Sequence, residues 1–121
     1  MLELELTDYR VKYIDDILLV KVDLSRATIN EALEFRNLLN DEINGRRIKV
    51  IVDLSQCEFI DSTFIGALVV TYKKLLALNG RIVFVQPSEL SLSILTLVGA
   101  LKFFRFFKTT SDALLHLKSR Y

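Results

Sequence analysis

Cysteine is almost absent from this chain, in which Cys57 is the only one among 121 residues. A single cysteine excludes an intramolecular disulfide framework and makes a reducing, cytoplasmic setting the default expectation. His116 is the only histidine, so no cluster of cysteine and histidine has the spacing of metal ligands, and we expect neither a metal nor another cofactor. Cys57 itself is expected to be a small residue that is buried or half-buried.

Neither sign of charge dominates, because 16 lysine and arginine residues face 15 aspartate and glutamate residues. We therefore expect neither nucleic acid nor an anionic membrane as the main partner. The longest apolar stretch, Leu90 to Phe107, is broken by polar residues, and its part before Lys102 is too short to cross a bilayer. Residues 1–6 alternate apolar and acidic side chains, which indicates a strand rather than a signal peptide. No stable membrane insertion is expected.

The length and the 51% hydrophobic content predict one globular domain that spans residues 1–121. Three short strands are predicted to open it, and the Thr-x-x-Glu spacing from Thr28 to Glu31 is a capping box that predicts the start of a helix ending near Gly45. The strands are predicted at Leu2–Leu6, Tyr9–Ile14 and Ile17–Val22.

Strands and helices alternate in the rest of the chain. The predicted elements are a strand at Ile48–Leu54, a helix after Asp61, a strand at Arg81–Val85, a helix from Ser88 to about Val98, a strand at Phe103–Phe107 and a helix from Thr110 to about Lys118. This order predicts an α/β fold with a mixed, mostly parallel sheet and about four helices. Periodicity leaves open whether the helices cover one face of the sheet or both.

A polar triplet, Asp61-Ser62-Thr63, stands where an extended apolar segment meets a helix. With Asp61 as the N-cap, the next two residues occupy the first helical turn, where side chains reach solvent and unpaired backbone N–H groups favour an added negative charge. In parallel sheets, ligand and partner sites lie at the carboxyl ends of the strands. Asp23 and Asp53 also follow strands at that end, so Ser62 is in a suitable position for a functional role.

The residues around this triplet closely resemble the signature of STAS domains, specifically of the stand-alone anti-sigma factor antagonists. The central match is Asp53-Leu54-Ser55 followed by Phe59-Ile60-Asp61-Ser62-Thr63-x-Ile65-Gly66. Further matches are Asp23-Leu24-Ser25-x-x-Thr28, Asn79-Gly80, Leu97-x-x-Ala100-Leu101 and Phe103-x-Arg105-Phe106. The resemblance covers almost the whole chain. The chain departs from it at Phe64, where many members have glycine, and at Val22 and Ser25, where many have glycine and aspartate.

The resemblance implies a single STAS-type domain without enzymatic activity. Such a protein binds an anti-sigma factor that is itself a serine kinase, and thereby releases a sigma factor for transcription. The kinase phosphorylates the serine of the motif, and a protein phosphatase restores binding. Carried onto this sequence, Ser62 is the phosphorylation site and Asp61 is its helix-capping neighbour.

On the helix after Asp61, a stripe of small and mostly apolar residues is predicted to face away from the buried side led by Ile65, Leu68 and Tyr72. This outer stripe consists of Thr63, Ala67, Val70, Lys74 and Ala77. We expect a partner to pack on it and phosphorylation of Ser62 to block that contact, since burying an unpaired charge is costly. The residues expected to contact the partner are Asp23, Ser25, Asp61, Ser62, Thr63, Phe64, Ala67, Val70 and Lys74.

Leu92 and Leu95 are predicted to point away from the stripe formed by Leu90, Ile94 and Leu97. They would then form an apolar patch for a partner, a second copy of the chain as in a homodimer, or a lipid surface, with packing against the C-terminal segment as the alternative. This patch, together with Phe64, motivates a second function: a STAS subunit of a larger assembly, such as a stressosome-like complex or a lipid-transport ATPase.

An enzyme that uses Ser62 as a nucleophile is the alternative of a different class. A nucleophilic serine needs a base and an oxyanion hole, and the only histidine, His116, lies in the last predicted helix, so we expect no catalytic residues. His116 is instead expected to carry a charge that favours the helix dipole.

Asp53 is expected to be a turn residue, because the acidic pair typical of phosphorylated receiver domains is absent after the first strand. Most side chains of Phe103, Phe104, Phe106 and Phe107 are expected in the core.

Overall fold

A computed structural model of the chain describes residues 3–5, 8–45, 48–97 and 102–119. The elements in chain order are β1 (Glu3–Glu5), β2 (Tyr9–Ile14), β3 (Ile17–Val22), β4 (Arg26–Ala27), α1 (Ile29–Asn44), β5 (Lys49–Asp53), β6 (Phe59–Ile60), α2 (Ser62–Ala77), β7 (Arg81–Val85), α3 (Glu89–Thr96), β8 (Phe106–Phe107) and α4 (Thr110–Lys118). Three residues at the bounds of predicted elements lie outside the described residues, namely Leu2, Leu6 and Val98.

The main sheet has six strands in the order β1-β2-β3-β5-β7-β8. The first three form an antiparallel meander, and β3, β5, β7 and β8 run parallel to one another. Asp15 has a φ of 53° in the turn between β2 and β3, a left-handed conformation that aspartate tolerates. The predicted mixed, mostly parallel sheet with four helices is therefore confirmed.

Helices cover both faces of the sheet, the point that periodicity left open. One apolar cluster joins the sheet to α1, α2 and α3 and contains the buried rings of Tyr9, Phe35, Phe64 and Phe84. A smaller cluster on the opposite face joins β3, β5 and β7 to α4. Because both faces are buried, β5 and β7 are almost continuously apolar instead of alternating.

The predicted boundary signals act as expected. The Thr28 hydroxyl accepts a hydrogen bond from the Asn30 N–H (3.3 Å), and the Thr28 N–H donates to Glu31 Oε1 (2.9 Å), which confirms the capping box of α1. After α2, a Cβ on Gly80 would lie 2.6 Å from the carbonyl oxygen of Ile48. A residue with a side chain would therefore force the backbone apart at this position.

Two predictions about the C-terminal half are corrected. The predicted strand at Phe103–Phe107 is shorter, since β8 contains only Phe106 and Phe107, and Phe103 is 60% exposed. The faces of α3 are reversed: Leu95 is buried, whereas Leu90 and Leu97 are 71% and 85% exposed.

The inward face of α3 combines a polar and an apolar side chain. Ser91 and Leu95, one turn apart, are both buried, and the Ser91 hydroxyl donates to the carbonyl oxygen of Glu58 at 2.5 Å. Leu92 is half-buried. Apolar spacing alone predicts that the stripe of Leu90, Ile94 and Leu97 faces inward. It cannot show that Ser91 is buried through a hydrogen bond to a backbone carbonyl group.

Among the helices of the described ranges, none combines the length and apolar character that a bilayer crossing requires.

Candidate functional site

A short parallel ladder that the sequence analysis did not predict holds the starts of α1 and α2 side by side. Strand β4 pairs with β6, with Arg26 opposite Phe59 and Ala27 opposite Ile60. The carbonyl oxygen of Ser25 accepts hydrogen bonds from the N–H groups of Glu58 (2.8 Å) and Phe59 (3.0 Å). The Arg26 guanidinium lies 4.5 Å from the centre of the Phe59 ring. The ladder therefore joins the segment before α1 to the segment before α2.

Asp61 connects the two helices directly. Its Oδ1 accepts the N–H of Phe64 at 2.9 Å, which confirms the predicted N-cap of α2. Its Oδ2 accepts the N–H of Ile29, the first residue of α1, at 2.8 Å. One carboxylate thus satisfies donors at two helix N-termini, whose dipoles both favour a negative charge. The second bond was not predicted, because it links residues 32 positions apart.

Ser62 and Thr63 occupy the first turn of α2, and both are exposed. The predicted position of the Ser62 hydroxyl, open to solvent at a helix N-terminus, is therefore confirmed. Its phosphorylation stays a prediction.

Phe64 is not on the exposed surface, so its place in the predicted contact set is wrong, and Ala67 is almost entirely buried. Phe64 is fully buried, with its ring 4.7 Å from that of Phe35 on α1, and Ala67 is 2% exposed. The reason is that α2 packs against α1 as well as against the sheet, so its buried face is wider than the stripe of Ile65, Leu68 and Tyr72. In the isolated chain Phe64 does not offer its side chain to a partner, whereas Ala67, although nearly buried, lines the groove between α1 and α2.

The remaining residues of the predicted outer stripe differ in exposure. Thr63 and Ala77 are exposed, and Val70 is 45% exposed. Lys74 is half-buried, and its Nζ donates to the side-chain oxygens of Asn40 (3.0 Å) and Asn44 (3.1 Å) on α1. The exposed part of the stripe therefore begins next to Ser62, and Lys74 bridges the two helices further along.

An apolar groove of about 430 Å³ runs between α1 and α2 beside Thr63. Three large aliphatic side chains stand exposed along it: Ile29 (65%), Leu33 (66%) and Val70 (45%). The groove is lined by Ile29, Ala32, Leu33, Arg36, Thr63, Gly66, Ala67 and Val70. We call this surface the α1–α2 groove.

The contribution of α1 to this groove was missed. Ile29, Leu33 and Arg36 recur at spacings of four and three residues, beside the buried stripe that contains Phe35 and Leu39. Such spacing places all three on one exposed strip of the helix. The sequence signal for this surface was an apolar pair, Ile29 and Leu33, which lies next to the core-facing stripe but outside it.

Asp23, Ser25 and Asp53 end or follow strands near this site. Asp23 Oδ2 forms an ion pair with Arg10 Nε at 2.7 Å, and Ser25 is exposed beside the β4–β6 ladder. Asp53 is buried, and its Oδ1 accepts the N–H of Ser55 at 2.8 Å, in agreement with the predicted turn role. The ladder thus brings Ser25 to the same edge as Asp61, while the Asp23 carboxylate is engaged by Arg10.

The described residues bring no histidine to Ser62. His116 lines a cavity at the C-terminal end of α2, and a 16-residue helix is about 24 Å long, so the imidazole is far from the Ser62 hydroxyl. The pKa of His116 is lowered by burial and then by the charges of Arg105 and Arg81. The prediction that His116 carries a charge for the helix dipole is therefore not supported, because its neutral form is favoured.

Cys57 is fully buried, as expected. Burial, and then the negative charges of Asp53 and Asp23, raise the pKa of its thiol to about 12. The thiolate, which is the reactive form, is therefore scarce at neutral pH. Across residues 8–45, 48–97 and 102–119, no group of three histidine, cysteine or acidic residues is arranged to hold a metal ion.

Replacement of Asp61 tests the link between the helices. We expect Asp61→Ala to lower the free energy of unfolding by about 2 kcal/mol, because it removes an N-cap and a charge-assisted hydrogen bond to Ile29. Asp61→Asn keeps only one acceptor oxygen and should cost about half as much. Urea unfolding measures both, and amide hydrogen exchange should show faster exchange at Ile29 in both variants. Unchanged exchange at Ile29 would show that the bond contributes nothing.

Comparison with known proteins gives one family and a consistent set of structures. The family model described as STAS domain matches residues 8–113. A candidate anti-sigma factor antagonist of Thermotoga maritima is 25% identical, with 92% of this chain and 95% of that chain covered and a TM-score of 0.83. No curated protein matches the chain in sequence.

Two further solved structures are similar in fold. An anti-sigma-factor antagonist (STAS) domain protein of Planctomyces limnophilus is 22% identical, with coverage of 93% and 100% and a TM-score of 0.83. The Bacillus cell fate determinant SpoIIAA in its phosphorylated form is 14% identical, with coverage of 90% and 98% and a TM-score of 0.71.

Proposed function

Because the chain belongs to the STAS domain family, we propose that it is a cytoplasmic bacterial anti-sigma factor antagonist whose protein binding is controlled by phosphorylation of Ser62. In this proposal the unphosphorylated protein binds an anti-sigma factor that is a serine kinase, and a sigma factor is released. A protein phosphatase reverses the modification. The observation that carries the proposal is the exposed Ser62 beside the apolar α1–α2 groove.

The α1–α2 groove has the character of a protein-binding surface. Ile29, Leu33 and Val70 expose aliphatic side chains side by side, and their removal from water on binding would be favourable. An added Cβ at Gly66 would meet no heavy atom within 4 Å, so a partner side chain has room above this position. Arg36 supplies one positive charge at the wall of the groove. A partner with an apolar face and an acidic residue at its edge fits this surface.

The position of Ser62 supports control by phosphorylation. The residue lies in the first turn of α2, where the helix dipole favours a phosphoryl group, so the modified protein is expected to stay folded. Asp61 contributes a negative charge next to it, and two further negative charges would make the edge of the groove strongly anionic. A partner that covers this edge would then have to bury an uncompensated charge. SpoIIAA, which shares the fold, has been solved in a phosphorylated form.

The direct test is incubation with the small ATP-binding serine kinases encoded in the same genome. We expect one of them to form a complex with the chain and to add one phosphate, located on Ser62 by mass spectrometry. Ser62→Ala should bind this kinase and remain unmodified. A phosphate on Thr63 would move the site by one residue, and the absence of any complex with these kinases would contradict the proposal.

Val70→Glu tests the groove as the docking surface. We expect the variant to bind the kinase about thirtyfold more weakly, because a buried, unpaired carboxylate costs at least about 2 kcal/mol. Folding should be almost unaffected, since Val70 is 45% exposed on a helix surface. Affinity is measured by calorimetry and stability by urea unfolding.

Leu115→Glu is the matched control for Val70→Glu. It places the same charge on an exposed apolar position, 69% exposed, of α4 on the opposite face of the sheet. Its affinity for the kinase should equal that of the unmodified chain. Equal losses in both variants would mean that the groove is not the interface.

A STAS subunit of a larger assembly is the second candidate function. Phe64 and Leu95 no longer support it, because both are buried. The opposite face of α3 does, since Leu90, Ile94 and Leu97 expose apolar side chains. Purification of the chain from native lysate together with a transporter ATPase, in place of a serine kinase, would favour this candidate.

A further inference from the structure

A second cavity, of about 340 Å³, lies at the end of α2 opposite to Ser62. It opens between the last turns of α2, the start of β7 and the segment before β8. Its apolar walls include Tyr72, Leu76 and Phe103, and its polar wall is formed by Arg81, Arg105 and His116. The proposed function makes no use of this region.

The polar wall carries positive charge, and no described carboxylate pairs with it. Arg81 Nη2 donates to His116 Nε2 at 3.0 Å, which requires a ring nitrogen that accepts. Of the lining residues that the structure describes, none is acidic, and neither Arg81 nor Arg105 takes part in an ion pair among them. Burial, and then the charges of Arg105 and Arg81, lower the pKa of His116.

The apolar wall continues beyond this cavity. A neighbouring cavity of about 380 Å³ shares Tyr72, Leu76 and Phe103 with the first and extends along α2 to Val69 and Lys73. Leu76 is 56% exposed and Phe103 is 60% exposed, so both present apolar surface to the outside. The two cavities together form a trough with a cationic end and an apolar body. We call it the α2 trough.

We propose that the α2 trough binds a single-chain alkyl carboxylate of the fatty-acid type. The carboxylate lies between Arg81 and Arg105, and the alkyl chain covers Tyr72, Leu76 and Phe103. Guanidinium groups donate paired hydrogen bonds to carboxylates in a fixed planar geometry. A single carboxylate can accept from both guanidinium groups, because Arg81 gives one N–H to His116 and has further N–H donors for the ligand. A free inorganic anion would leave the apolar wall in water, and an uncharged lipid would leave the two arginines without an anion.

Calorimetric titration of the full chain with decanoate, at concentrations below micelle formation, tests the proposal. We expect binding of decanoate and at least about tenfold weaker binding of decanol and of inorganic phosphate, since each lacks one half of the ligand. Equal affinity for decanol would overturn the role of the arginines. Equal affinity for phosphate would overturn the role of the apolar wall, and tighter binding of decyl phosphate than of decanoate would overturn the carboxylate as head group.

Two variants separate the halves of the site. Arg105→Gln, at an exposed position, should weaken the binding of decanoate and of hexanoate alike by about tenfold. Phe103→Ala should weaken the binding of decanoate and leave that of hexanoate nearly unchanged. The control Lys108→Gln removes the same charge from an exposed position after β8, and it should bind decanoate normally. Equal losses in Arg105→Gln and Lys108→Gln would show attraction by net charge alone and would overturn the site.

Discussion

Phe64→Ala is expected to lower the free energy of unfolding by about 4 kcal/mol, as is typical for truncation of a fully buried aromatic side chain. The Phe64 ring lies 4.7 Å from that of Phe35, which in turn contacts Tyr9 at 5.6 Å, so its removal leaves a cavity between α1, α2 and the sheet. The backbone N–H of residue 64 can still donate to Asp61, and the cap of α2 is retained. Urea unfolding followed by circular dichroism measures the change.

Phe103→Ala is the matched control, because it makes the same chemical change at a ring that is 60% exposed. We expect it to cost less than about 1 kcal/mol. Equal stability of Phe64→Ala and the unmodified chain would contradict the burial of Phe64 and would return this residue to the candidate partner surface. The comparison therefore tests the correction to the predicted contact set directly.

Phosphorylation of Ser62 is expected to weaken binding of the partner kinase roughly 150-fold, which corresponds to about 3 kcal/mol. The physical reason is the addition of about −1.5 to −2 charges at the edge of the α1–α2 groove, next to the Asp61 carboxylate. Thermal stability should change little, since the helix N-terminus favours the added charge. Calorimetry on the phosphorylated and unphosphorylated proteins measures affinity, and Ser62→Asp should reproduce part of the loss.

Ser111→Asp provides the control for charge placed at a helix start. Ser111 is exposed in the first turn of α4, on the other face of the sheet. The variant should bind the kinase as tightly as the unmodified chain does. Equal affinity of the phosphorylated and unphosphorylated proteins would contradict control by blocking, whereas equal losses in Ser62→Asp and Ser111→Asp would indicate a general effect of net charge.

Local patterns in the sequence were sufficient to predict the four helices and the strands of the main sheet, apart from the length of β8, and to indicate the family. The Thr-x-x-Glu capping box starts α1, Asp61 caps α2, and the apolar run at Ile48–Leu54 contains β5. These features depend on contacts between residues at most four positions apart, or on burial so complete that both faces of a strand are apolar. The resemblance around Asp61-Ser62-Thr63 indicated the family that the match over residues 8–113 confirms.

Which side chains are exposed on the helices depended on contacts between residues far apart in the chain. The β4–β6 ladder and the bond from Asp61 to Ile29 align α1 with α2, and this packing buries Phe64 and Ala67 and opens the α1–α2 groove. Likewise, Ser91 faces inward on α3 because the carbonyl oxygen of Glu58, 33 positions away, accepts its hydroxyl. Periodicity in the sequence shows which side of a helix is apolar. Which side chains become buried depends on the helix or strand that packs against that side, and only the tertiary structure determines this packing.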